Sequence, residues 1–244
     1  MIIHSDDFGY KNYTDNKIIQ LIAKGNLKSV SVISNMVERK NLKRLVKMVN
    51  SSNNVKIGLH INLIEGKSLY NNKYIPSLVD RKNNLLGLPK FFLKLVLKMI
   101  DENHIEREIN KQITHLEDNG IKVTILDSHE HVHALSPIAE IVEKIARERG
   151  IKKIRSYKNV KNHTLIAKTK YGILKIMGLI SHFIYKGKID LPSSWKIDSL
   201  ENYSYMSWEG EDYDISKLKD KALILVTHPY LPFDSNKSYF WFLV

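Results

Sequence analysis

Four short segments carry residues whose types and order can do chemistry together. Asp6 and Asp7 close the run Met1-Ile2-Ile3-His4-Ser5 and are followed at once by Phe8-Gly9-Tyr10. Further along stand Gly58-Leu59-His60, then Asp127-Ser128-His129-Glu130-His131-Val132-His133, then Thr227-His228-Pro229. Two adjacent carboxylates in a half-buried position repel unless a cation or a proton lies between them. An Asp pair before glycine is also an ordinary turn or helix-cap signal, so its chemical meaning rests on the histidines that accompany it. The set Asp7, His60 and His129 offers one carboxylate and two imidazoles from three separate segments, a donor set that suits a hard or borderline divalent cation. Three protein ligands leave positions open for water and substrate, as catalytic rather than structural metal sites do. Within the histidine run, His129 is nearest the expected strand end. His131 and His133 can be substrate contacts, partners of the ligands or the ligand itself, and Asp127 can orient one of the imidazoles or satisfy a turn.

These residues need a framework to bring them together. Short apolar runs at 1–5, 28–34, 55–63, 122–129, 151–155 and 222–227 read as strands, and helical periodicity appears near 15–25, 39–50, 104–118, 136–149 and 164–180. Asp15 is placed to cap the first helix, Gly120 follows the third, and Ser136-Pro137 opens the fourth. Strand-helix alternation predicts parallel β/α units, in an open doubly wound sheet or a barrel. In 55–63, Gly58, His60 and Asn62 share one face, while Val55, Ile57, Leu59, Ile61 and Leu63 share the other. In 122–129, Val123 and Ile125 are followed on the same face by Asp127, His129 and His131. Polar residues thus gather at carboxyl ends of strands, where β/α folds keep their active sites. The stretch Ile64 to Lys90, rich in Asn, Gly, Lys and Pro, reads as a long functional loop over one end.

Composition narrows the classes. A chain of 244 residues, 43% hydrophobic, suits one domain spanning 1–244, and no apolar run reaches membrane-spanning length. Cysteine is absent, which excludes disulfides and thiolate metal sites and fits a cytoplasmic location. The amino terminus has no cationic stretch followed by an apolar one, and the Asp pair comes too early to survive signal-peptide cleavage. The net charge of +12 is concentrated between Arg147 and Lys188, where twelve Lys and Arg face only Glu148. Such a stretch can meet an anionic membrane surface or acidic glycan, or be a solvated face. Sparse aromatics and no accompanying motif argue against nucleic acid.

The four segments, in this order and at these separations, resemble the YdjC-like carbohydrate deacetylase family, which includes chitooligosaccharide deacetylases. The resemblance spans Met1 to about Tyr230 and rests on Asp6-Asp7-Phe8-Gly9, Gly58-Leu59-His60-Ile61-Asn62-Leu63, Asp127 to His133, and His228-Pro229. It implies a single-domain, deformed TIM-like (β/α) barrel. It also implies a divalent metal, magnesium in most descriptions of the family with zinc or another divalent ion as the alternative, on Asp7, His60 and His129. The implied reaction is removal of the N-acetyl group from an amino sugar or oligosaccharide, with release of acetate. Asp6 is then placed to take a proton from water, provided the strand ends at the pair, and His228 to protonate the leaving amine. Arg155 binds a sugar hydroxyl or balances Asp6, and His131 and His133 join it as expected substrate contacts. Tyr230 stands where relatives usually have glycine, and the sequence stops 16 residues after His228, where relatives usually continue. Two other functions compete: a metal-dependent phosphoesterase, and a glycan-binding or membrane-surface protein with an inactive deacetylase-like site.

Overall fold

The computed structural model describes residues 2–25, 27–51, 55–155, 165–186, 204–208 and 223–227. Six parallel strands form one sheet in the order β4-β3-β2-β1-β6-β5. They are β1 (Ile2–Phe8), β2 (Ser29–Val32), β3 (Lys56–Ile61), β4 (Val123–Ser128), β5 (Ser204–Trp208) and β6 (Leu223–Thr227). The helices are α1 (Asn12–Ala23), α2 (Arg39–Ser51), α3 (Leu88–Val96), α4 (Glu102–Asp118), α5 (Ile138–Glu148) and α6 (Leu165–Tyr185). The expected strand at 151–155 is reduced to one parallel bridge between Ile154 and Leu126, held by Leu126 N–H on the Lys153 carbonyl and Arg155 N–H on the Leu126 carbonyl. That bridge sets Arg155 beside the strand carrying Asp127. Strand β5 lies outside the six runs, because Ser204-Tyr-Met-Ser-Trp208 lacks their apolar continuity. Among the described residues no ladder joins β5 to the Ile154 edge, and what they show is a parallel α/β sheet.

The core forms because each helix turns one stripe inward. Ile105, Ile109, Ile113 and Leu116 of α4, and Ile138, Val142 and Ile145 of α5, recur at helical spacing and are buried against Ile57, Leu59 and Leu126 of the sheet. Each such side chain contributes about 1.5–3 kcal/mol by leaving water. Helix α3 falls at the end of the stretch expected to be loop. The preceding segment, 64–87, is tied down by Ile75, Leu78 and Leu85, all buried, and by Glu108 of α4, which accepts from Ser68 Oγ at 2.6 Å and Leu69 N at 3.3 Å.

Strand β1 does not end at the Asp pair. Ser5 stands opposite Val30 and Phe8 opposite Val32, so three steps along β1 match two along β2, a bulge with Asp7 at φ 61°. The bulge breaks the alternation that would send Asp6 and Asp7 to opposite faces. Asp15 lies inside α1 rather than at its cap, and its carboxylate accepts from Gly9 N at 2.6 Å and from Asn41 Nδ2 at 2.7 Å, which holds the turn after the bulge. Gly9 has φ 102°, and a Cβ there would lie 2.7 Å from Val37 Cβ and 2.9 Å from the Ile33 carbonyl oxygen. Gly9→Ala is therefore expected to destabilise the protein by roughly 2–4 kcal/mol, through left-handed strain and backbone overlap together. Urea unfolding checks this, and a loss under about 0.5 kcal/mol, the level of an ordinary surface change, would contradict it.

Candidate metal centre and buried charge network

Asp7, His60 and His129 meet at one point. Asp7 Oδ1 lies 3.1 Å from His60 Nε2 and 3.1 Å from His129 Nδ1, and one ligand atom from each of the three residues falls within 4.8 Å of the others. All three are at most 6% exposed. The far nitrogen of each ring is also engaged. His60 Nδ1 is 2.7 Å from Asp127 Oδ1, and His129 Nε2 is 3.1 Å from Glu65 Oε2. A carboxylate on the outer nitrogen fixes the tautomer and turns the inner nitrogen's lone pair toward the common point, which is how metal-ligating histidines are held.

Behind this point lies a second cluster, His4, Asp6 and Asp127, which already has a cation. Arg155 reaches Asp6 with Nη1 and Nη2, each at 2.6 Å from one oxygen, and Asp127 Oδ2 with Nη2 at 2.6 Å. Asp127 Oδ2 also accepts from Ser31 Oγ at 2.8 Å. His4 Nε2 lies 3.0 Å from Asp6 Oδ1 and 3.3 Å from Asp127 Oδ2, within reach of both carboxylates. Its Nδ1 pairs with Ser29 Oγ at 2.7 Å. Gly58 leaves room for this arrangement, since a Cβ there would fall 2.5 Å from Ser31 Oγ.

The electrostatics follow from burial opposed by close charge. Burial alone would push Asp127 up, but Arg155 and His60 outweigh it and hold the carboxyl well below the usual carboxylate range. Asp7 is likewise pushed up by burial and held well below by its bonds to His129 and His60. Burial would lower His60, but the charges of Asp6 and Asp127 and the bonds to Asp127 and Asp7 raise it to about 10. His129 is lowered by burial and raised more by Asp7 and Glu65, to about 9. Without a metal, then, two protonated imidazoles face one carboxylate oxygen. A divalent cation that replaced those two protons would leave the net charge of the buried set unchanged, so the donors fit such an ion in charge as well as in kind.

The histidine run departs from a simple strand. The alternation of β4 carries through Asp127, but at His129 the chain enters a tight helical turn, His129–Ala134, with Glu130 and His131 at φ 50° and 59°. His131 therefore leaves the strand face expected for it, and with Glu130, Glu65 and Tyr10 it is partly exposed at the rim. The Tyr10 ring lies 5.6 Å from that of His129, and burial with the nearby Glu65 charge pushes its hydroxyl up to about 12. His133 is only 1% exposed. Its Nε2 donates to the Arg155 carbonyl at 3.1 Å, so its Nδ1 accepts from Ser128 Oγ. Arg155, expected on a sugar hydroxyl or on Asp6, is 4% exposed with its guanidinium on Asp6 and Asp127. His228 lies outside the described residues; β6 ends just before it, with Thr227 opposite Ser5.

Sequence reasoning missed His4 and Glu65. His4 precedes Asp6 by two residues in a strand, so alternation could have placed it on the same face. Glu65 sits in an irregular segment with no period to reveal it.

The parallel α/β sheet gathers carboxylates and imidazoles at its carboxyl end, where folds of this class keep their sites, and three of them could hold a metal ion. Comparison makes the assignment specific: the chain belongs to the YdjC-like protein family, whose pattern it matches over residues 1–235. Among curated proteins it is similar to a carbohydrate deacetylase of Clostridium beijerinckii, 27% identical over 183 residues, which covers 72% of this chain and 71% of that protein. It is also similar to a carbohydrate deacetylase of Brevibacillus brevis, 28% identical over 148 residues, covering 61% and 56% of the two chains. Among solved structures it resembles an Enterococcus faecalis protein described as a cellobiose-phosphate cleavage protein, with a TM-score of 0.59 and 17% identity over 95% of this chain and 81% of that one. That last likeness speaks to the fold alone.

Burial lowers His133 to about 4, so the folded state holds it neutral while the unfolded chain protonates it near its ordinary value of 6.5. The stability that its neutral form contributes is complete above about 6.5 and is lost as pH falls toward 4, at about 1.4 kcal/mol per pH unit. His133→Gln should cost stability at pH 7, and the gap to wild type should narrow by about 2–3 kcal/mol by pH 4.5. Urea melts of both proteins across that range measure it, and a gap independent of pH would show that His133 is not held neutral.

Proposed function

We propose that this protein is a metal-dependent hydrolase that removes the N-acetyl group from an amino sugar or a short chitooligosaccharide-like chain. The observation that carries the proposal is the convergence of Asp7 Oδ1, His60 Nε2 and His129 Nδ1, with Asp127 and Glu65 bracing the outer nitrogens. The names of the relatives support the reaction class. The sheet order and parallel sense also support reading the fold as most of a deformed β/α barrel wall. When bound, a divalent ion would supply Lewis-acid polarisation of the amide carbonyl and acidification of water. The resemblance points to magnesium. Two imidazoles among three donors favour a borderline ion such as zinc, manganese or cobalt, because magnesium prefers an all-oxygen shell.

The chain's own residues account for the proton movements. As a water oxygen bonds to the carbonyl carbon, Asp6 takes the water proton. Arg155 occupies one lone pair on each Asp6 oxygen, and a carboxylate has about four such sites, so acceptor capacity remains. The C–N bond then breaks, the amine leaves with a proton from His228, and acetate is the second product. Tyr10 and His131, at the partly exposed rim, are the side chains best placed to meet the sugar.

An acetate-release assay on N-acetylglucosamine and its oligomers tests the reading, with protein stripped of metal and reloaded with magnesium, zinc, manganese or cobalt. Acetate should appear only after reloading. Phosphate release from sugar phosphates without acetate release would overturn the proposal in favour of a phosphoesterase. Asp7→Ala, His60→Ala and His129→Ala should lose metal by direct titration. Asp6→Asn and His228→Ala should keep metal and lose about 10²- to 10⁴-fold in turnover; wild-type rates in either would refute the assigned proton transfers.

Glu65 gives a separate test of how the centre is braced. Glu65→Ala should weaken metal binding by about 10- to 100-fold, the usual cost of removing a carboxylate behind a ligating histidine. Glu65→Gln, which keeps an acceptor for the ring N–H, should recover much of that loss. Equal titration curves for wild type and both variants would remove Glu65 from the site.

A further inference from the structure

Helix α6 has two apolar faces, and among the described residues only one is packed. Leu174, Met177 and Tyr185 pack toward the core, Ser181 is buried, and Tyr185 donates its hydroxyl to the Leu95 carbonyl of α3 at 2.8 Å. On another face Ile173, Ile176, Ile180 and Phe183 recur at helical spacing and are exposed, Phe183 at 84%. A helix of an ordinary soluble domain keeps such a stripe on its core side. Helix α3, in contact with α6, and the turn after it also expose Leu93, Leu97 and Met99, so two neighbouring helices both carry exposed apolar side chains. Single exposed apolar residues are normal; a contiguous patch of this kind marks an interaction surface.

The two stretches that carry the patch are rich in lysine, and the acidic charge at its border is Asp101 and Glu102, the latter close enough to act on the Tyr185 hydroxyl. No Asp or Glu occurs from Leu88 to Ile100 or from Leu165 to Lys186, while these stretches contain seven lysines. Lys90, Lys98, Lys175 and Lys186 are exposed. No described helix is long and apolar enough to cross a membrane. Apolar side chains interspersed with seven lysines and bordered by two carboxylates suit a helix lying in the interface of an anionic bilayer, where apolar burial and attraction to headgroups add. The start of α3 is tied to the segment that carries Glu65. Gly87, at the start of α3, donates its N–H to the carbonyl of Ile64, the residue before Glu65, at 2.8 Å.

We propose that the α3–α6 face docks on an anionic lipid surface and holds the rim of the site close to it. Co-sedimentation of the full chain with phosphatidylglycerol vesicles and with phosphatidylcholine vesicles tests this. Severalfold more protein should pellet with the anionic vesicles. The excess should shrink between 0.01 M and 0.15 M salt, as the screening length falls from about 30 Å to about 8 Å. An Ile176→Ser/Phe183→Ser double variant and a Lys175→Glu/Lys186→Glu double variant, each checked for unchanged circular dichroism, should both lose that excess. No anionic preference at low salt, or binding untouched by either variant, overturns the proposal. A doubled mass by light scattering that the serine variant abolishes, without vesicle binding, overturns it too and assigns the face to a second copy of the chain.

Discussion

Three carboxylates, Asp6, Asp7 and Asp127, are buried within one network, and the structure around them is arranged so that none stands alone. The permanent cation is Arg155, which bonds Asp6 through both oxygens and Asp127 through one. Guanidinium suits this position because its planar fork engages two carboxylates in fixed directions, and it stays charged at any pH the fold survives. Removing one partner of such a buried set costs about 3–5 kcal/mol, since the remaining charges stay where water cannot reach them. Arg155 itself is fixed by the short backbone bridge of Ile154 to β4. One bridged residue at the sheet edge thus decides whether the strand ends can carry their charges.

With Arg155 neutralising the rear of the network, the front is free to differ. The Asp7 charge is balanced by the protons of His60 and His129, the two raised imidazoles. Protons can be exchanged and a guanidinium cannot. This separates the two clusters although their residue types match: one is permanently compensated by Arg155, while the other holds exchangeable charge that a divalent ion could replace. Asp127 joins them, with one oxygen on His60 and the other on Arg155, so the ring that faces the exchangeable point is aimed by the permanent pair.

Much of this was legible in the sequence. Five of the six apolar runs became strands, and the periodic stretches became helices within a few residues, because burial on a parallel sheet selects those patterns directly. The meeting of Asp7, His60 and His129 was expected from strand ends, with His131 and His133 open as alternatives, but β1 runs on to Phe8 and it is the bulge that brings Asp7 in. What stayed hidden depended on local backbone geometry. The bulge at Asp7 needs a residue at positive φ that is not glycine, which no propensity announces. The turn at His129 to Ala134 removes His131 from the strand face, and Glu130 and His131 again adopt positive φ without glycine. Helix α3 was obscured because Gly87 and Pro89, strong loop signals, here sit at a helix start, where proline is tolerated.

Glu65 illustrates why an irregular segment can be as well determined as a strand. Asn62 accepts from the N–H groups of Ile64 and Glu65 and donates to the Glu65 carbonyl, so the chain leaving β3 is fixed for three residues. Gln112 of α4 bonds the backbone of Asn62 in both directions, at 3.1 Å and 2.6 Å, and Glu108 holds the following turn through Ser68. These backbone groups find their partners inside the protein, which is what permits a backbone without regular structure to stay buried. The consequence reaches the site. The carboxylate behind His129 is positioned by a helix on the far side of the segment, so the aim of a ring at the strand ends depends on packing between α4 and the 64–87 loop. Mobility there would loosen that ring before it disturbed the sheet.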